Sequence, residues 1–124
     1  MNYYTLPDLP YTYDALEPHM SKEVLTLHHD KYHQSYVDGA NAALKQLEHS
    51  REQGGEINMK AVLKELSFHV GGDMLHSLFW ENMAPEGQGG EISGAFGDAL
   101  NQEFGSVDRF KKEFAQAAVS VEGS

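Results

Sequence analysis

Two apolar stripes at helical spacing, both carrying histidines, constrain this chain more than any other feature. The first runs Leu25, His28, Tyr32, Tyr36, Ala40, Ala43 and Leu47; the second runs Val62, Leu66, His69, His76, Phe79, Trp80 and Met83. With about 3.6 residues per turn, each set falls along one side of a helix. Between them Ser50-Arg-Glu-Gln-Gly54-Gly55 carries a loop signal, which predicts that the first helix stops near His49. Two such helices joined by a short loop bury their stripes against each other as an antiparallel hairpin. That packing brings His28 and His76 within reach of one shared ion. Imidazole is the commonest neutral ligand for first-row metals. A buried histidine is also often a hydrogen-bonded core residue, and spacing by itself leaves both readings open.

The flanking signals agree with this frame. Ser21 is placed to cap the first helix, with Glu23 in its first turn, and Asn58 to cap the second. Gly71 and Gly72 sit inside the second stripe, where each glycine costs about 1 kcal/mol against alanine. Glycines kept in a helix point to something approaching the backbone closely, and Gly72 lies one turn before His76. Gly39 marks a bend or a close contact in the first helix. Residues 1–20 hold three of the four prolines and four of the six tyrosines. They are expected to form an extended arm anchored by Leu6, Leu9, Tyr11, Tyr13 and Leu16. His29 is expected to pack or hydrogen-bond, and His19 and His49 to be solvated. After a linker at 84–90, Ser93 to Phe104 reads as a helix ended by Gly105, and Ser106 caps another bearing Phe110, Phe114 and Val121. Glu122-Gly-Ser124 reads as a turn leading into a new element. No segment reads as a strand.

Composition closes off several function classes. A net charge of −10 disfavours nucleic acid and anionic membranes as partners, since both attract basic surfaces. With no cysteine there are no disulfides, thiolate metal sites or thiol chemistry. Neither a signal-peptide pattern nor a membrane-length apolar run is present, so a cytoplasmic protein is expected. The His-Glu-x-x-His run of zincins and the Glu-x-x-His pairs of di-iron bundles are both missing.

Three runs together resemble the iron/manganese superoxide dismutases. They are Tyr4-Thr-Leu-Pro-Asp-Leu-Pro-Tyr followed by Asp14-Ala-Leu-Glu-Pro18, Leu27-His-His-Asp-Lys-Tyr-His-Gln-Ser-Tyr-Val37, and His76-Ser-Leu-Phe-Trp80. The resemblance implies a helical-hairpin domain at 1–90 and, at 91–124, the start of a truncated α/β domain. The chain as given would then be all-α, a long antiparallel hairpin plus two shorter helices. One manganese or iron ion per subunit is implied, with His28 and His76 as its ligands. Tyr36 matches the gateway tyrosine of the substrate channel and Lys31 a basic residue near its mouth, which are the catalytic candidates. Tyr32, Gly72, Phe79 and Trp80 match the surroundings of the ligands. Gly72 stands where iron-type members carry glutamine, which leans the reading slightly toward manganese. A glutamine introduced there is expected to be tolerated. Two positions depart from the pattern: Asp73 and Tyr32 both stand where many relatives have histidine.

The family's other two ligands, an aspartate and a histidine, lie in an Asp-x-Trp-Glu-His segment that this sequence does not contain. The resemblance implies superoxide as substrate, disproportionated to dioxygen and hydrogen peroxide, and a homodimer or homotetramer at full length. The alternative is a non-enzymatic helical module whose histidines are core residues or bind metal adventitiously.

Overall fold

The computed structural model describes residues 2–122. These divide between two compact units, one ending at Gly89 and one beginning at Gly90. The expected turn at Gly123 and Ser124 lies outside the described residues.

In the first unit a short helix α1 (Lys22–Leu27) runs into a π-helical turn (His28–His33) and on into α2 (Gln34–Gln53), giving one long helical rod. Ser21 caps it as expected, accepting from the Val24 amide at 3.2 Å. The rod ends at Gln53 rather than near His49, because Gly54 supplies the left-handed residue (φ 68°) that returns its amide to Ser50. A short loop leads to α3 (Met59–Glu81), whose first turn is capped by Asn58 accepting from the Ala61 amide at 3.1 Å.

Cross-contacts show how the rod and α3 meet. His28 touches His76, His33 touches Asp73, Gly39 abuts His69, and Ala43 and Leu47 cluster with Val62. Partner numbers fall on α3 as they rise on the rod, which defines an antiparallel hairpin.

The buried stripe of the rod is Leu25, His29, His33, Val37, Ala40, Ala43 and Leu47. This corrects the expected face of Leu25, His28, Tyr32 and Tyr36. Residues four apart drift by about 40° per step in a straight α-helix. In the π-helical turn, closed by bonds from i to i+5, each residue turns through a smaller angle, so His29 and His33 stay aligned with Leu25. His28, Tyr32 and Tyr36 are thereby moved to the flank, and Tyr32 is 53% exposed. Val62 and Leu66 accordingly meet Ala43 and Leu47, not the histidine end of the rod.

The N-terminal arm lies along this hairpin. Asn41 holds the Tyr4 backbone from both sides, accepting from its amide at 2.8 Å and donating to its carbonyl at 2.9 Å. The His29 Nε2–H donates to the Pro7 carbonyl at 2.8 Å, and the Tyr11 hydroxyl donates to the Trp80 carbonyl at 3.0 Å. Leu16 completes a core with Leu25 and Trp80, against which Leu9, Tyr11, Tyr13, Met20 and Met83 pack. His19 and His49 are exposed.

The second unit contains α4 (Gly94–Phe104) and α5 (Val107–Val119). Gly105 takes the left-handed conformation (φ 82°) between them, and the Ser106 side chain caps α5 by accepting from the Arg109 amide at 3.1 Å. Phe104, Phe110 and Phe114 form a chain of ring contacts, while Leu100 is buried. Among the described residues there is no strand, and no helix is long and apolar enough to cross a membrane.

Candidate metal centre

The π-helical turn and the last turns of α3 bring His28 and His76 together. Their Nε2 atoms are 3.0 Å apart, with ring planes at 90°. His76 Nδ1 donates to the Gly72 carbonyl at 2.8 Å, one turn back on α3. A carbonyl can only accept, so the neutral ring carries its proton on Nδ1 and its lone pair on Nε2. That is the tautomer a ligating histidine needs, held by the kind of outer hydrogen bond that orients ligands.

Two imidazole nitrogens with bonds of about 2.1 Å, set at a right angle as at adjacent octahedral corners, would sit about 3.0 Å apart. The observed spacing fits that arrangement. Burial lowers the pKa of His28 below the usual imidazole value, and the neighbouring His76 and His33 push it the same way. His28 therefore favours the neutral form that can bind a cation. Among the described residues no group of three or more histidine, aspartate or glutamate side chains converges on one point.

Around the pair the rings are close. Trp80 is 1% exposed and lies 4.9 Å from the His28 ring, with Phe79 at 5.6 Å on another side. Tyr32 stands edge-on to His28 at 6.3 Å, although half of it faces solvent. The Tyr36 ring sits 5.1 Å from His76. Val24, Leu27, His28, Tyr32, Ser35, Tyr36 and His76 line an open cavity of about 390 Å3, so both ligand candidates and the candidate gateway tyrosine share one mouth. Lys31 is exposed and does not line this cavity.

Gly72 has the close approach expected of it, but the neighbour is Tyr36. A Cβ there would lie 2.2 Å from Tyr36 Cδ1, so the expectation that glutamine is tolerated does not hold unless that ring moves. Gly71 faces open space instead. Gly39 is a close contact too, its Cβ position 2.4 Å from the His69 ring.

His33, the most deeply placed polar residue, was not singled out from the sequence. It is fully buried, its Nε2 lies 2.8 Å from Asp73 Oδ1, and the Trp80 indole N–H donates to its Nδ1 at 3.0 Å. Its spacing of four from His29 and eight from Leu25 is the signal that could have found it.

A helical hairpin brings two imidazoles to one point beside a wall of aromatic rings. The chain belongs to the iron/manganese superoxide dismutase family: residues 3–84 match that family's alpha-hairpin domain. It is 58% identical over 123 residues to the iron superoxide dismutase of Methanothermobacter thermautotrophicus, covering 98% of this chain and 60% of the relative. Against the iron superoxide dismutase of Pyrobaculum aerophilum it is 56% identical over 121 residues, covering 97% and 57%. The second manganese superoxide dismutase of Halobacterium salinarum is 46% identical over 123 residues, covering 99% and 61%. The chain thus spans 57–61% of the length of these curated relatives.

Proposed function

We propose that this chain contributes the helical half of a superoxide dismutase. In the whole protein, two superoxide anions and two protons would become dioxygen and hydrogen peroxide. The observation that carries the reading is the 3.0 Å pairing of His28 and His76 Nε2, with the His76 tautomer set by the Gly72 carbonyl. His28 and His76 would hold one iron or manganese ion, which when bound supplies one-electron chemistry between its +3 and +2 states. The remaining ligands would be the aspartate and histidine of the Asp-x-Trp-Glu-His segment, which residues 1–124 do not include.

The chain's own residues have distinct tasks in this reading. Trp80, fully buried, excludes water from the back of the ligand pair, which tunes a metal's potential, while Phe79 flanks His28 with a ring that is itself exposed. Tyr36 holds a phenolic proton on the cavity wall, and Tyr32 lines the mouth. Lys31, being exposed, acts on the incoming anion through local potential alone, against a chain charge of −10. Iron and manganese both occur in the names of the relatives, with iron in those at 56–58% identity. The glycine at 72, whose Cβ space Tyr36 fills, leans the reading slightly toward manganese. A homodimer or homotetramer is the proposed assembly, supported by the exposed apolar side chains of Phe68, Leu75 and Leu78 on α3.

The test is superoxide removal by the full-length protein loaded with iron or manganese, beside His28→Ala and His76→Ala. Activity and stoichiometric metal that both disappear in the two variants are expected. Full activity in either variant would overturn the assignment of the ligand pair, and no superoxide removal by the metal-loaded full-length protein would favour a non-enzymatic helical module.

A further inference from the structure

We propose that Asp73 is a positioning residue for the ligand histidine His76, acting through the buried ring of His33. This rests on the reading of His28 and His76 as a metal-binding pair.

An indole N–H can only donate, so the 3.0 Å bond from Trp80 Nε1 fixes the lone pair of His33 on Nδ1. The neutral His33 proton then sits on Nε2, where the Asp73 carboxylate accepts it at 2.8 Å. Only this tautomer satisfies both partners. The same ring lies stacked on His76, with centroids 5.2 Å apart and planes 24° from parallel. At the other end of the relay Trp80 stands against His28, with centroids 4.9 Å apart. Asp73 and Trp80 both belong to α3 and His33 to the rod, so the relay crosses the hairpin twice beside the two ligand rings.

Removing the acceptor at 73 has more than a local effect. A buried Nε2–H without a partner is costly, and a neutral ring can relieve it only by moving its proton to Nδ1. That would set His33 Nδ1–H against the Trp80 N–H, two donors facing each other. Either outcome displaces the ring that His76 stacks on. An asparagine at 73 keeps a carbonyl acceptor and is the conservative variant; leucine keeps the bulk and removes the acceptor.

The experiment compares wild type, Asp73→Leu and Asp73→Asn as metal-free, ring-15N-labelled protein. Nitrogen shifts report which nitrogen of each histidine carries the proton, and a Mn(II) titration follows. Wild type is expected to show His33 protonated on Nε2 and His76 on Nδ1. Asp73→Leu should lose both single-tautomer signatures and bind Mn(II) 10–100-fold more weakly, the usual loss when a ligand's outer hydrogen-bond support is removed. Asp73→Asn should retain both signatures and most of the affinity. An unchanged His76 signature in Asp73→Leu would overturn the proposal. So would Asp73→Asn shifting His33 to the other tautomer, a result that decides the matter even if the leucine variant does not fold. If wild type binds no Mn(II) at the pair, the ligand reading falls, while the His76 signatures of the two variants still settle what Asp73 does.

Discussion

Gly71 and Gly72 are neighbours in sequence and opposites in environment. The glycine pair inside an apolar stripe was legible as a sign of close approach, but only the packed hairpin shows that Gly72 alone is approached, and by Tyr36. Gly71→Ala should therefore stabilise the protein by up to about 1 kcal/mol through helix propensity. Gly72→Ala should destabilise it by about 1–3 kcal/mol, because overpacking against the Tyr36 ring outweighs that gain. Urea titration of both variants checks the sign of each. The same crowding holds the Tyr36 ring beside His76, where its phenol reaches the cavity. Tyr36→Phe in the full-length protein should leave metal content intact while changing turnover or its pH dependence, since the proposed role of the phenol is to act through its proton and not to bind the ion. Metal analysis beside superoxide assays separates this from a structural role, which would show as lost metal. At this scale His28 and His76 were readable because their types and motif context are specific. His33 and Asp73 were not, because a polar pair buried across two helices leaves no mark in either helix alone.

Elements tell a similar story. The caps at Ser21, Asn58 and Ser106 and the left-handed stop at Gly105 were written locally and could be read locally, whereas the rod runs past the expected stop near His49 as far as Gly54. The π-helical turn could not. Its widened bonds bury His29 and His33 instead of His28 and Tyr32, a choice made by the packing of α3 and the N-terminal arm. The arm is fastened to that turn by Tyr13, whose hydroxyl bonds the Asp30 carboxylate and reaches His29 Nδ1 at 3.0 Å. Burial, with the hydrogen bond to Asp30 next, raises the Tyr13 pKa from 10.0 to about 12. The folded state thus holds this proton more tightly than the unfolded chain. Its stabilising contribution is complete below pH 10 and is lost as pH rises toward about 12. Alkaline unfolding of wild type should be steeper across that window than that of Tyr13→Phe, which carries no titrating phenol there. Parallel curves for the two proteins would remove Tyr13 as the arm's fastening.

For the whole molecule, the hairpin and its shared histidine point followed from two stripes and a loop, because local contacts dominate an antiparallel helix pair. What the ligands do could be read only through the family's motifs, since two imidazoles in an aromatic wall suit more than one metal and more than one task. The central claim is that His28 and His76 together hold an ion. It is tested most directly by electron paramagnetic resonance of Mn(II) titrated into the metal-free protein. Loss of the free-ion signal should saturate at one ion per chain, with weak affinity for residues 1–124, which supply only part of a ligand set. That loss should vanish in His28→Ala and in His76→Ala. Binding that persists unchanged in both variants would contradict the account.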